Sequence, residues 1–160
     1  MSMIMKKSTK LTAFVLGFSC LGSAALADTA AESVQVDDPY VRAVPPGLTN
    51  SASYMSLINT SDQTYALVSV ETSAARIAEL HEHVHEDGMM MMREVAAIEI
   101  PAQGRAVLQP GGLHVMLIGL NRDLKPGESL PIVLQFKDGS RKEVQAPVRK
   151  IMTKMQKPMH

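Results

Sequence analysis

No stretch of this chain keeps a helical period for long, because turn signals interrupt it too often. Pro45-Pro46-Gly47, Asp87-Gly88, Pro110-Gly111-Gly112, Pro126-Gly127 and Asp138-Gly139 each mark a place where the backbone must break or reverse. Short runs lie between them: Val34–Val44, Ser51–Asn59, Thr64–Thr72, Ala75–His85, Met89–Val95, Ala97–Ile100, Arg105–Gln109, Leu113–Leu120, Glu128–Lys137 and Arg141–Val148. Several of them alternate apolar and polar residues, the period of a half-buried strand. A short helical turn fits only near Ser73–Arg76. The expected fold is all-β, an antiparallel sandwich or barrel. Such folds carry many functions, so the architecture alone assigns none.

The 160 residues suit one domain flanked by two dispensable ends. Lys6, Lys7 and Lys10 precede an apolar, small-residue stretch that closes at Ala25-Leu26-Ala27. A basic start, an apolar middle and an A-x-A close describe a secretory signal peptide over residues 1–27. Its apolar stretch is too short for a membrane span. Cleavage predicts a mature chain that starts at Asp28, is periplasmic, and has no span of its own. Residues 28–33 read as a loose segment, 34–150 as the domain and 151–160 as a flexible tail. The full chain has 16 basic and 16 acidic residues. Three of the lysines precede residue 28, so the remainder carries a modest net charge of −3. That balance offers nothing to nucleic acid. Cys20, the only cysteine, leaves with the signal peptide. Gly17-Phe18-Ser19 before it does not resemble a lipobox. The mature chain therefore has no disulfide, no thiolate ligand and no cysteine nucleophile.

Methionine is the compositional anomaly, at 12 residues. Four of these form the run Met89–Met92, just after His81, His83 and His85. On a strand, residues two apart share a face. His81, His83 and His85 therefore share one, and Met90 and Met92 share one. A hairpin turning at Asp87-Gly88, whose unequal flanks leave open a loop longer than two residues, can set His81 opposite a methionine near Met92. Further on, His114 and Met116 share a face while Leu113, Val115 and Leu117 point to the core. The Pro110-Gly111-Gly112 turn places them near a loop end, where sites collect. One imidazole and one thioether from each stretch make an N2S2 set. Thioethers are soft and select Cu(I), and imidazole suits copper too. Zn²⁺ favours Cys, His and carboxylate instead. Met89 and Met91 read as core filler, the usual role of methionine.

Ten residues separate His81 from Met92, twenty-one separate Met92 from His114, and one separates His114 from Met116. That spacing, with the flanking "ELHEH", "MREV", "IEIPA" and "LQPGGLHVML", resembles the PCuAC family of periplasmic copper chaperones over roughly Val34 to Val148. The resemblance implies a cupredoxin-like antiparallel Greek-key β-sandwich. It implies that His81, Met92, His114 and Met116 are Cu(I) ligands, and it favours Met92 over Met90. It also implies transfer toward the CuA centre of cytochrome c oxidase. The acceptor would be oxidase subunit II or a thiol-bearing copper chaperone. His83 and Met90 remain auxiliary candidates, as do Met152, Met155, Met159 and His160 in the tail, where Cu(II) is also conceivable. The chain is expected to be monomeric and not an enzyme.

Three other readings compete. His83-x-His85-x-Asp87 superficially resembles a metallohydrolase run, but Gly88 stands where a histidine is needed and the βα pattern is absent. A blue-copper electron carrier needs a cysteine ligand. Copper buffering without a dedicated client shares the site and the fold, and is the alternative to delivery.

Overall fold

The computed structural model describes residues 28–150. After a single helical turn α1 (Ala30–Ser33), ten strands follow in chain order. They are β1 (Val34–Arg42), β2 (Asn50–Asn59), β3 (Tyr65–Thr72), β4 (Ala75–Glu86) and β5 (Met89–Glu94). Then come β6 (Ile98–Ile100), β7 (Arg105–Leu108), β8 (His114–Leu120), β9 (Ser129–Phe136) and β10 (Arg141–Arg149). Each expected run is a strand, within one or two residues at its ends. The Ser73–Arg76 region is not helical. Ser73 and Ala74 form a tight turn between β3 and β4, which leaves no room for a helical repeat.

The strands hydrogen-bond in the order β5-β4-β8-β2-β1-β10-β9-β3-β6, with β7 also on β2. All the pairings are antiparallel except β1 with β10. That parallel pair joins the layer containing β1, β2, β8, β4 and β5 to the layer containing β10, β9, β3 and β6. Inward residues of both layers form one core. Leu130, Ile132, Leu134 and Phe136 of β9 are all buried, two apart along the strand, as period-2 geometry requires. Met55 and Leu57 of β2, Leu80 of β4, and Val115 and Leu117 of β8 meet them from the other layer.

Residues 28–33 are not loose. Thr29 and Glu32 close a capping box over α1. Ala30 N–H donates to Asp138 at 2.7 Å and Ala31 N–H to Ser140 Oγ at 3.0 Å. The Tyr65 hydroxyl donates to the Asp28 carbonyl at 2.8 Å. Ala30 is fully buried. Its partners Tyr65, Asp138 and Ser140 lie tens to more than a hundred residues away, beyond the reach of local patterns. The tail candidates Met152, Met155, Met159 and His160 lie outside the described residues.

Candidate metal centre

Leu80, Val115 and Leu117 commit one face of β4 and β8 to the core. Their neighbours Glu79, His81, His83, His114 and Met116 must then project from the opposite face. Register sets who meets whom. His81 lies opposite His114 and Glu79 opposite Met116 across the β4–β8 pair. On the other side of β4, His83 lies opposite Met92, and His85 opposite Met90.

This register corrects the expected hairpin. Asp87 and Gly88 form a two-residue turn, with Glu86 paired to Met89. Both turn residues have positive φ, 51° and 77°, as a primed hairpin turn requires. No longer loop is needed. The tight turn sets His83, not His81, directly opposite Met92, and sets His81 opposite Glu94. His81 and Met92 are then diagonal neighbours on the same face.

The methionine run is not filler. β5 is the edge strand, and Met89 and Met91 are 63% and 47% exposed. They point away from the site face, where no second layer among the described residues covers them. Met90 and Met92 are exposed on the site face.

His114 is 3% exposed although it points away from the core. Its ring lies 5.0 Å from His83 (stacked), 5.8 Å from His81 and 6.4 Å from Tyr54, between centroids. Tyr54 in turn packs against Tyr40 at 5.2 Å. The Gly112 carbonyl accepts from His114 Nδ1 at 3.0 Å, which leaves Nε2 as the free lone pair. Burial pushes the His114 pKa down. The Gly112 bond opposes that, and His83 and His81 add to the depression. His114 is thus held neutral, the state a ligand needs.

His81 is oriented differently. Its Nε2 meets Glu79 Oε2 at 2.9 Å. Among the described residues its buried Nδ1 has no hydrogen-bond partner, and neither has Nδ1 of His83. Two buried imidazole nitrogens on one strand face are thus left without partners, a feature that asks for a ligand. Nε2 of His81 on a carboxylate and Nδ1 free is the arrangement by which outer carboxylates orient metal-binding histidines. His83, Met92, His114 and Met116 line a cleft of about 410 Å³ together with Tyr54, Pro45 and Leu48.

All four residues of the expected ligand set therefore gather on one face, with His83 among them. Among the described residues no three of His, Asp, Glu or Cys can hold a metal ion by themselves. The thioethers of Met92 and Met116 beside the imidazole of His114 suit a soft ion better than Zn²⁺. Glu79, Tyr54 and the Gly112 carbonyl were not singled out from sequence. Glu79 did share the strand parity of His81, the one signal that could have flagged it. Among the described residues no helix is long and apolar enough to cross a membrane.

Comparison with known proteins bears on the family and the fold. The family described as "Putative lipoprotein LpqE-like" matches residues 34–148. A putative lipoprotein of Leifsonia xyli subsp. xyli, Lxx21020, is 35% identical over 149 residues, 89% of each chain. The solution structure of CuI-DR1885 from Deinococcus radiodurans matches with 41% identity and a TM-score of 0.63, covering 77% of this chain and 84% of that one. The copper-bound PCuAC domain from PmoF2 matches with a TM-score of 0.64, covering 79% of this chain and all of that one. At 23% identity that last likeness speaks for the fold alone, and it agrees with the cupredoxin-like sandwich expected from the sequence.

Proposed function

The chain belongs to the LpqE-like, PCuAC-type family, and from that premise we propose that it is a periplasmic copper chaperone. It binds Cu(I) through His81, Met92, His114 and Met116 and passes it on, toward the CuA centre of cytochrome c oxidase. The observation that carries this reading is the shared face: Met92, His114 and Met116 line one cleft, and His81, opposite His114 across the β4–β8 pair, has an Nδ1 without a hydrogen-bond partner among the described residues. The ligands are neutral, and Met92 is half exposed. An acceptor can therefore reach the ion and take it by ligand exchange. The mouth of the cleft favours delivery over storage, the alternative reading.

Competition with a Cu(I)-specific chromophoric chelator tests the site. One Cu(I) is expected per chain, held far more tightly than Zn²⁺, and His114→Ala or Met92→Leu should abolish that preference. Zinc binding as strong as Cu(I) binding would remove the N2S2 assignment. A deletion strain that loses oxidase assembly at low copper supports delivery, whereas copper sensitivity alone supports buffering.

Export fits the lipoprotein names of the relatives. Those names raise lipid attachment at Cys20, against which Gly17-Phe18-Ser19 argues. The intact mass of the exported protein decides. A mass beginning at Asp28 is expected, and a lipidated Cys20 would anchor the protein to the membrane.

A further inference from the structure

We propose that His83 is a fifth copper donor, one that receives and releases Cu(I) at the mouth of the site instead of holding it at rest. This rests on the His2Met2 reading above and deepens it. β4 puts more imidazoles on the site face than an N2S2 set uses. His83, not His81, lines the cleft beside Met92, His114 and Met116. It lies directly opposite Met92 across the hairpin. Its backbone N–H donates to the Gly112 carbonyl at 3.3 Å, which fixes it at the start of β8. Its ring stacks on His114 with 5.0 Å between centroids and 29° between planes.

The decisive detail is Nδ1 of His83, buried and without a hydrogen-bond partner. A solvated surface histidine keeps both nitrogens wet. A packing histidine hydrogen-bonds them, because a buried nitrogen left unsatisfied is costly. His83 does neither, as a residue kept for a ligand would. His81 sits differently, its Nε2 held by Glu79 at 2.9 Å and its ring outside the cleft lining. An ion approaching through the cleft thus meets Met92 and His83 before it can reach His81. Five candidate donors share this face, where a tetrahedral site uses four. One donor can therefore arrive as another leaves, and the ion never has to be bare. The same sequence run backwards is release. Oxidation plays no part, and copper stays Cu(I) throughout.

The test measures Cu(I) exchange between the full exported chain and a chromophoric chelator, in both directions, by stopped flow. His83→Ala, with His83→Gln as the shape-conserving variant, should slow uptake and release alike by about tenfold, while equilibrium affinity falls less than about threefold. His85→Ala, farther out on the same strand, should leave both rates unchanged. Unchanged rates in the His83 variants would make His83 a packing residue and overturn the proposal. An affinity loss as large as that of His114→Ala would also overturn it, by making His83 a resting ligand in place of His81. The underlying ligand reading fails by a different result, Cu(I) affinity that survives His114→Ala, whatever the His83 variants do.

Discussion

Which ring nitrogen faces the metal depends on what the other one is bonded to. At His114 the Gly112 carbonyl takes Nδ1, leaving Nε2. At His81 the Glu79 carboxylate takes Nε2, leaving Nδ1. Glu79 lies opposite Met116 in the β4–β8 register, so it belongs to the same face. It should act as a positioning residue, fixing the orientation of the His81 ring. Outer partners of this kind typically contribute about 10–100-fold in metal affinity. Glu79→Gln is expected to weaken Cu(I) binding by that order in chelator competition, with little change in the melting temperature of the apo protein. An unchanged affinity would mean that His81 does not bind through Nδ1. Strand parity showed that Glu79 and His81 share a face. It did not show the bond, because a hydrogen bond depends on rotamers and parity does not. Nor did parity separate His81 from His83, since both satisfy it equally.

At the level of the element, the β4–β5 hairpin decides the site. Its register follows from Asp87-Gly88, whose positive φ values close the turn in two residues. A loop one or two residues longer would shift every His–Met pairing. This is why the strands were legible in the sequence while the partners across them were not. The pattern shows which face a residue takes, but the turn sets which residue it meets. The methionines were misjudged for a related reason. Residue type favours a buried Met89 and Met91, yet burial needs a covering layer, and β5 is the sheet edge. Met89→Ser and Met91→Ser are therefore expected to change stability by no more than about 0.5 kcal/mol. Core methionines would cost about 2–5 kcal/mol on truncation. Chemical denaturation of the apo protein measures the difference, and a loss in the larger range would place a covering partner over this edge.

Across the whole molecule, the contacts that sequence hid are the long-range ones. The parallel β1–β10 pair and the docking of α1 on Asp138 and Ser140 join the two ends of the domain. Carboxyls on these contacts and on the loop before β9 load its acid response. Arg149 beside Asp38 and Arg122 beside Glu128 hold those carboxyls below their ordinary values. Asp138 is lowered as well: burial opposes the shift, but the bonds from Ala30 and Ser140 outweigh it. A carboxyl with a lowered folded pKa stabilises above its ordinary value and loses that contribution as pH falls below it. For these groups the window opens at about 4 and extends downward. His114 has the same sign for a different reason. Burial lowers its pKa from 6.5, so below that value the unfolded chain takes up a proton that the folded chain refuses. Stability therefore declines as pH falls through about 6.5, and levels off once the folded imidazole is protonated too. The apo protein should lose stability in two stages on acidification, one beginning near neutrality and one below about pH 4. His114→Gln should remove the first stage and spare the second. Saturation with Cu(I) should steepen the first stage, because the ion competes with protons for His81 and His114. Denaturant unfolding from about pH 8 to 3, on apo protein, copper-loaded protein and the His114→Gln variant, measures all three curves. A first stage that survives in His114→Gln would assign it to another histidine and remove His114 from the buried centre of the site.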